Sequence, residues 1–268
     1  MKITSITSET NNVLKMVRAL HRRHIREKEQ LFLLEGAHCL IEAISKNVEL
    51  KQIVASAGYL DERMEELSGL ELDEISVVDD KIFADLATTT TSCGVLAIAK
   101  IPKQERKTFS SWQPRVIAVV DAVQDPGNLG TIVRTAFAAQ LGGLLVLKGS
   151  ADLYNPKVVR AAAGALFALP ILSDVEAHDA VAMLKANNYR LISCQMSARK
   201  HYFEAELSDS VAIVLGNEGQ GINETMQRSA DESISIPMNP LSESLNVAIS
   251  GGIILFETLK QRLAVANR

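Results

Sequence analysis

Aromatic residues are scarce in this 268-residue chain, 4% with a single Trp, although hydrophobic residues reach 47%. Its core must therefore come mainly from Leu, Ile, Val and Ala. Cysteine is scarce too. Cys39, Cys93 and Cys194 are too few and too scattered for a disulfide framework or a zinc site, so no metal is expected. All three read as buried thiols of a reducing cytoplasm. Long apolar runs are missing: residues 116–120 and 211–215 are strand-length, well short of a bilayer span. The start, Met1-Lys2-Ile3-Thr4-Ser5, lacks an apolar signal core. These absences predict a cytoplasmic globular protein with no membrane partner. Internal repeats and low-complexity tracts are also lacking.

What is present is unevenly placed. The net charge is −4, which taken alone argues mildly against nucleic acid binding. Residues 1–28, however, hold seven cations (Lys2, Lys15, Arg18, Arg22, Arg23, Arg26, Lys28) against two anions, Glu9 and Glu27. The acidic excess comes later, in residues 61–74. Residues 10–28 read as one helix, with Val13, Val17 and Leu20 on one face and cations on the others.

Strand and helix signals then alternate to about residue 100: strands at 31–34, 52–55, 75–78 and 95–99, and a helix at 37–45. Residues 101–114, with Pro102, Ser110, Ser111 and Pro114, read as a linker. The alternation restarts with strands at 115–120, 143–147, 190–193 and 211–215 and helices at 130–139, 156–163 and 244–262. The fold class is α/β, with a mostly parallel sheet covered on both faces. The expected organisation is a first domain over 1–100, a linker over 101–114 and a second domain over 115–268.

Three blocks carry chemistry. Asp125-Pro126-Gly127-Asn128 turns a strand into a helix, and Asn128 suits a helix cap. Arg134, deep in the same apolar helix, is either a snorkelling surface residue or a site residue, with equal weight from this block alone. The second block, Gly216-Asn217-Glu218-Gly219-Gln220-Gly221, follows a buried strand. Glycines there admit a ligand close to the backbone, but the spacing is not the G-x-G-x-x-G of a dinucleotide site. In the third, Ile236-Pro237-Met238 leads through a polar loop to Ser244-Leu245-Asn246-Val247 and a helix, with Ser242 or Ser244 as its simple cap. Free N–H groups at such a helix start favour polar or anionic ligands.

In this order and spacing the three blocks resemble the SpoU (TrmH) family of RNA 2′-O-ribose methyltransferases, within the SPOUT superfamily. Residues 11–36 and Thr91-Ser92-Cys93-Gly94-Val95 resemble that family's substrate-binding domain, which has a ribosomal-protein-like fold. Tyr154-Asn155-Pro156 through Ala165 resembles a further family segment, in which a Ser commonly stands at Ala162. The resemblance implies a trefoil-knotted second domain that binds S-adenosylmethionine against Leu215, Gly216, Asn217, Gly219, Ile236, Met238 and Leu245. It implies catalysis at Arg134, with Asn128, Glu218, Ser244 and Asn246 holding that arginine and the ribose in place. It also implies a homodimer built on the knot helices. The RNA partner is then ribosomal RNA, with transfer RNA as the alternative, and Arg18, Arg22, Arg23 and Arg26 contact its phosphates. Two other readings compete. A non-catalytic RNA-binding protein would not need the Asn128, Arg134, Glu218, Ser244 and Asn246 set. A nucleotide-dependent oxidoreductase would need the glycine spacing and the ribose-binding carboxylate that are missing.

Overall fold

The computed structural model describes residues 2–68, 74–87, 93–104, 106–217 and 219–266; Glu218, Thr91 and Ser92 lie outside the described residues. The chain forms two compact units. One holds Met1–Lys103 with Tyr154–Phe167, the other Gln104–Leu153 with Ala168–Arg268.

The first unit begins β1 (Lys2–Ser5), α1 (Asn12–Leu20), α2 (Arg23–Glu29), β2 (Leu31–Glu35), α3 (Ala37–Ser45) and β3 (Leu50–Ser56). It continues α4 (Ala57–Arg63), α5 (Glu65–Ser68), β4 (Glu74–Val78), α6 (Asp80–Leu86) and β5 (Val95–Lys100). Its sheet runs β1-β4-β3-β5-β2, parallel in its first three strands and antiparallel around β5. Asn11 starts α1 by accepting from the Val13 N–H at 2.8 Å. Leu14, Val17 and Leu20 then pack on Leu33, Val54, Leu96 and Ile98. Full burial of each such side chain contributes roughly 1.5–3 kcal/mol.

The single helix expected over 10–28 is in fact two. Arg22 is extended (φ −93°, ψ 128°), which breaks the chain between α1 and α2 and resets the helical phase. Arg26 consequently turns inward. It is 3% exposed, and its Nη1 donates to the carbonyls of Leu20 (2.7 Å) and His21 (2.9 Å). Those are carbonyls that the end of α1 leaves without an intrahelical partner. The expected phosphate contact by Arg26 is therefore corrected: the residue closes a helix end and does not face solvent.

The second unit holds β6 (Val116–Val120), α7 (Pro126–Ala138) and β7 (Gly143–Leu147). The chain then leaves for the first unit at Tyr154–Phe167, which carries α8 (Pro156–Ala162), and returns within α9 (Ala165–Ala168). There follow β8 (Ile171–Val175), α10 (Ala177–Ala186), β9 (Arg190–Cys194), β10 (Lys200–His201), β11 (Val211–Leu215), α11 (Glu224–Ser229), β12 (Glu232–Ser235) and α12 (Val247–Ala266). The sheet order is β10-β12-β9-β11-β6-β7-β8, and every pair is parallel. All strand ends therefore lie at one edge, and the order reverses between β6 and β11. Ligands of open α/β sheets bind outside the strand ends at such a reversal.

Within the first unit, Phe32 meets Tyr154 (ring centroids 5.0 Å apart) and Phe167 (6.1 Å). Arg160 pairs with the buried Glu35 at 3.6 Å. In the second unit, Phe109 and Trp112, from the stretch read as linker, are buried against one another and Tyr189. Two helix starts also differ from expectation. Asp125, not Asn128, caps α7, accepting from the Asn128 N–H at 2.8 Å. The last helix starts at Val247 and not at residue 244, because Asn246 is its cap, accepting from Ala248 N (2.9 Å) and Ile249 N (3.3 Å). Of the three thiols expected to be buried, only Cys39 is; Cys93 is exposed and Cys194 half-buried.

Candidate active site

A cavity of about 480 Å³ opens at the ends of β9, β11 and β12. Leu215, Gly216, Asn217, Gly219, Ile236, Met238 and Leu245, expected around the cofactor, all line it, and so does Ser244. Its size is that of a small-molecule site.

The Gly-rich loop makes one wall. Asn217 and Gly221 exchange backbone hydrogen bonds, both 2.9 Å, folding the loop on itself. The Asn217 side chain locks that turn: Oδ1 accepts from Gly219 N (2.8 Å) and Gln220 N (2.9 Å), and Nδ2 donates to Ala122 O (2.9 Å). Gly216 is required by space. A Cβ there would sit 2.6 Å from the carbonyl carbon and oxygen of Gly221. Gly221 is required by its φ of +72°. Sequence reasoning missed another part of the lining, Cys194-Gln195-Met196-Ser197. No motif or periodicity marks it. Burial pushes the Cys194 thiol up to about 12, so this part presents a neutral sulfur at neutral pH.

The first and third motifs meet through a hydrogen bond, Asn246 Nδ2 donating to Asn128 Oδ1 at 2.9 Å. Because Asp125 has taken the capping role, the Asn128 side chain is available for this contact. Asn246 caps α12 with its oxygen and reaches α7 with its nitrogen. Arg134 projects from the exposed face of α7, whose other face buries Leu129, Ile132, Val133 and Ala136. Among the described residues its guanidinium meets no carboxylate and no hydrogen-bond acceptor. A guanidinium so placed is available to an incoming anion.

The basic N-terminal stretch is less uniform than its sequence suggests. Arg18 donates to Glu9 O at 2.9 Å, and Arg23 pairs with Glu27 at 2.7 Å. Arg22 is exposed, and its guanidinium meets no acceptor among the described residues.

The residues present fit S-adenosylmethionine. Apolar side chains of Leu215, Ile236, Leu245 and Ile254 line the cavity beside the Gly-rich loop, whose tight fold leaves no room for a Cβ at Gly216. The overall fold matches that of solved RNA 2′-O-ribose methyltransferases. One such crystal structure matches with a TM-score of 0.85 at 31% identity, over 97% of this chain and 100% of that one. An AdoMet-bound rRNA methyltransferase from Sinorhizobium meliloti matches with a TM-score of 0.84 at 26% identity, over 96% of this chain and 98% of that one. The chain belongs to the SpoU rRNA Methylase family, whose model matches residues 115–256. An MRM3-like substrate binding domain matches residues 11–97. The 23S rRNA (guanosine-2′-O)-methyltransferase RlmP of Bacillus subtilis (strain 168) is 31% identical over 94% of this chain and 97% of its own length.

Proposed function

We propose that this chain, a methyltransferase by family, transfers a methyl group from S-adenosylmethionine to a ribose 2′-hydroxyl of ribosomal RNA in the cytoplasm. The observation that carries the reading is the convergence of the three motifs. The loop 216–221 and the strand end 236–238 enclose the cavity, and the Asn128–Asn246 bond ties the helix bearing Arg134 to the third motif. The bacterial relative's action on 23S rRNA favours ribosomal over transfer RNA.

S-adenosylmethionine supplies a methyl group already activated on a sulfonium. The chain's residues have two tasks left, orienting the attacking oxygen and stabilising its growing negative charge. Arg134 serves the second. A guanidinium is a fixed cation in proteins, so Arg134 acts electrostatically on the hydroxyl and an adjacent phosphate and not as the base. The Asn128–Asn246 bond ties the starts of α7 and α12 together, and Ser244 lines the cavity. Glu218 keeps its expected role with that group.

The direct test is methyl transfer from radiolabelled S-adenosylmethionine to total RNA of a strain lacking the protein. Label in ribosomal RNA, in a nucleotide resistant to alkaline cleavage, is expected. Label confined to transfer RNA would shift the substrate, and no label would end the enzymatic reading.

The N-terminal unit is the substrate-binding part, and Arg22 is its best placed phosphate contact. Arg22→Ala should reduce the slope of log affinity against log salt by roughly 0.7–1, the share of one phosphate contact. An unchanged slope removes Arg22 from the interface. Arg26→Ala should instead lower the melting temperature, because it strips the carbonyls at the end of α1.

We also read the chain as a homodimer. Ile249, Phe256 and Leu263 recur at seven-residue spacing on α12 and are 55%, 48% and 53% exposed. Phe137, on the α7 that packs against it, is 48% exposed. A contiguous exposed apolar face of this kind marks an interaction surface. Light scattering should give twice the chain mass, and Phe256→Glu should halve it. A monomeric parent would sink this reading.

A further inference from the structure

We propose that Asp121 is a positioning residue for the cofactor cavity, acting on the Gly-rich loop through Asn223. The inference rests on the reading of this cavity as the S-adenosylmethionine site.

Asp121 follows β6 directly and pairs with the end of β11, its N–H donating to Leu215 O at 2.9 Å. Its carboxylate is almost fully buried, and among the described residues no cation faces it. Both of its partners belong to one residue: Oδ2 accepts from the Asn223 backbone N–H at 2.6 Å and from Asn223 Nδ2 at 2.8 Å. A carboxylate held out of water without a counter-charge persists only through strong charge-assisted bonds. Among the described residues these two bonds are its side-chain support.

Asn223 in turn accepts from Met226 N at 3.0 Å and so starts α11. The neighbouring residue, Ala122, accepts from Asn217 Nδ2 at 2.9 Å. The loop 217–223 is thus fastened at both ends to two consecutive residues of one strand end. Ala122 has φ +53°, a setting that a non-glycine residue keeps only where its surroundings hold it. Between the fastenings, Gly219, Gln220, Gly221 and Ile222 line the cavity, whereas Asp121 and Asn223 do not. Asp121 therefore touches no ligand in the cavity. It sets the position of the wall that does.

The test is calorimetry with S-adenosylhomocysteine on the intact chain, with single-turnover methyl transfer and hydrogen exchange alongside. Asp121→Ala takes the acceptor from two partly buried donors of Asn223. It should weaken binding about tenfold or more, speed exchange over residues 217–223, and leave the rate at saturating cofactor within about threefold. In Asp121→Asn the amide oxygen can still accept both bonds, so affinity should return to within about threefold of the parent. An Asp121→Ala protein that binds like the parent would overturn the inference. So would Asp121→Asn binding as weakly as Asp121→Ala, since charge and not fastening would then be the cause. If Asp121→Ala does not fold, Asn223→Ser keeps a helix cap and the backbone bond but removes the Nδ2 donor. A severalfold loss of affinity is expected there, and unchanged affinity overturns the proposal. A parent that binds no cofactor would instead overturn the reading of the cavity, and this inference with it.

Discussion

Arg134→Ala is expected to lower the single-turnover rate of methyl transfer by about a hundred- to a thousandfold, the usual effect of removing one group that stabilises developing charge. Cofactor affinity should stay within about threefold, because Arg134 does not line the cavity. Stability should also hold. The side chain is exposed and meets no acceptor among the described residues, and such surface changes usually fall within about 0.5 kcal/mol. That combination separates a catalytic role from a structural one. Arg134→Lys keeps the charge but loses the planar fork, so it should recover part of the rate only. If Arg134→Ala methylates RNA at nearly the parent rate, the catalytic assignment is wrong.

Gly216→Ala should act on the opposite property, binding without RNA recognition. Its Cβ would lie 2.6 Å from Gly221 backbone, which has no flexible end to yield. The two arms of the loop must then separate, breaking the paired 2.9 Å bonds between Asn217 and Gly221. Overpacking of this kind costs roughly 1–3 kcal/mol, which corresponds to about a ten- to hundredfold loss of cofactor affinity. RNA affinity, measured without cofactor, should not change. Calorimetry that shows parent-like cofactor binding would mean that the loop does not form the cofactor wall.

The parallel sheet was legible because β6, β7 and β11 are uninterrupted apolar runs buried on both faces. The edge strand β8 was not. Its burial alternates and its apolar signal is weak, as an edge allows. Arg26 misled for a definite reason: treating 10–28 as one helix put Arg22 and Arg26 on the same outer face. The extended backbone at Arg22, invisible in composition, rotates the second helix by its own phase. Phe109 and Trp112 were hidden in a stretch whose prolines and serines dominate its appearance, yet both rings are buried while the other described residues around them stay largely exposed.

The motifs named the cavity's Gly-rich wall and its polar loop. They could not say that Asp125 frees Asn128 for Asn246, because that depends on which of two neighbouring cap residues wins. Residues 194–197 and Asp121 carry no pattern at all. Their roles come from which strand ends the topology brings side by side.

The excursion at Tyr154–Phe167 bears on how the protein can be taken apart. A fragment ending near residue 103 would lose Tyr154 and Phe167 from around Phe32, and Arg160 from the buried Glu35. It would expose an aromatic side chain and take an ion-pair partner from a buried carboxylate, so it should be insoluble or molten when expressed alone. Exchanging N-terminal halves between relatives to retarget the enzyme would fail for the same reason unless residues 154–167 travel with the half they complete. In evolutionary terms, recognition and chemistry are not independent modules here, since a stretch encoded within the second half is part of the first.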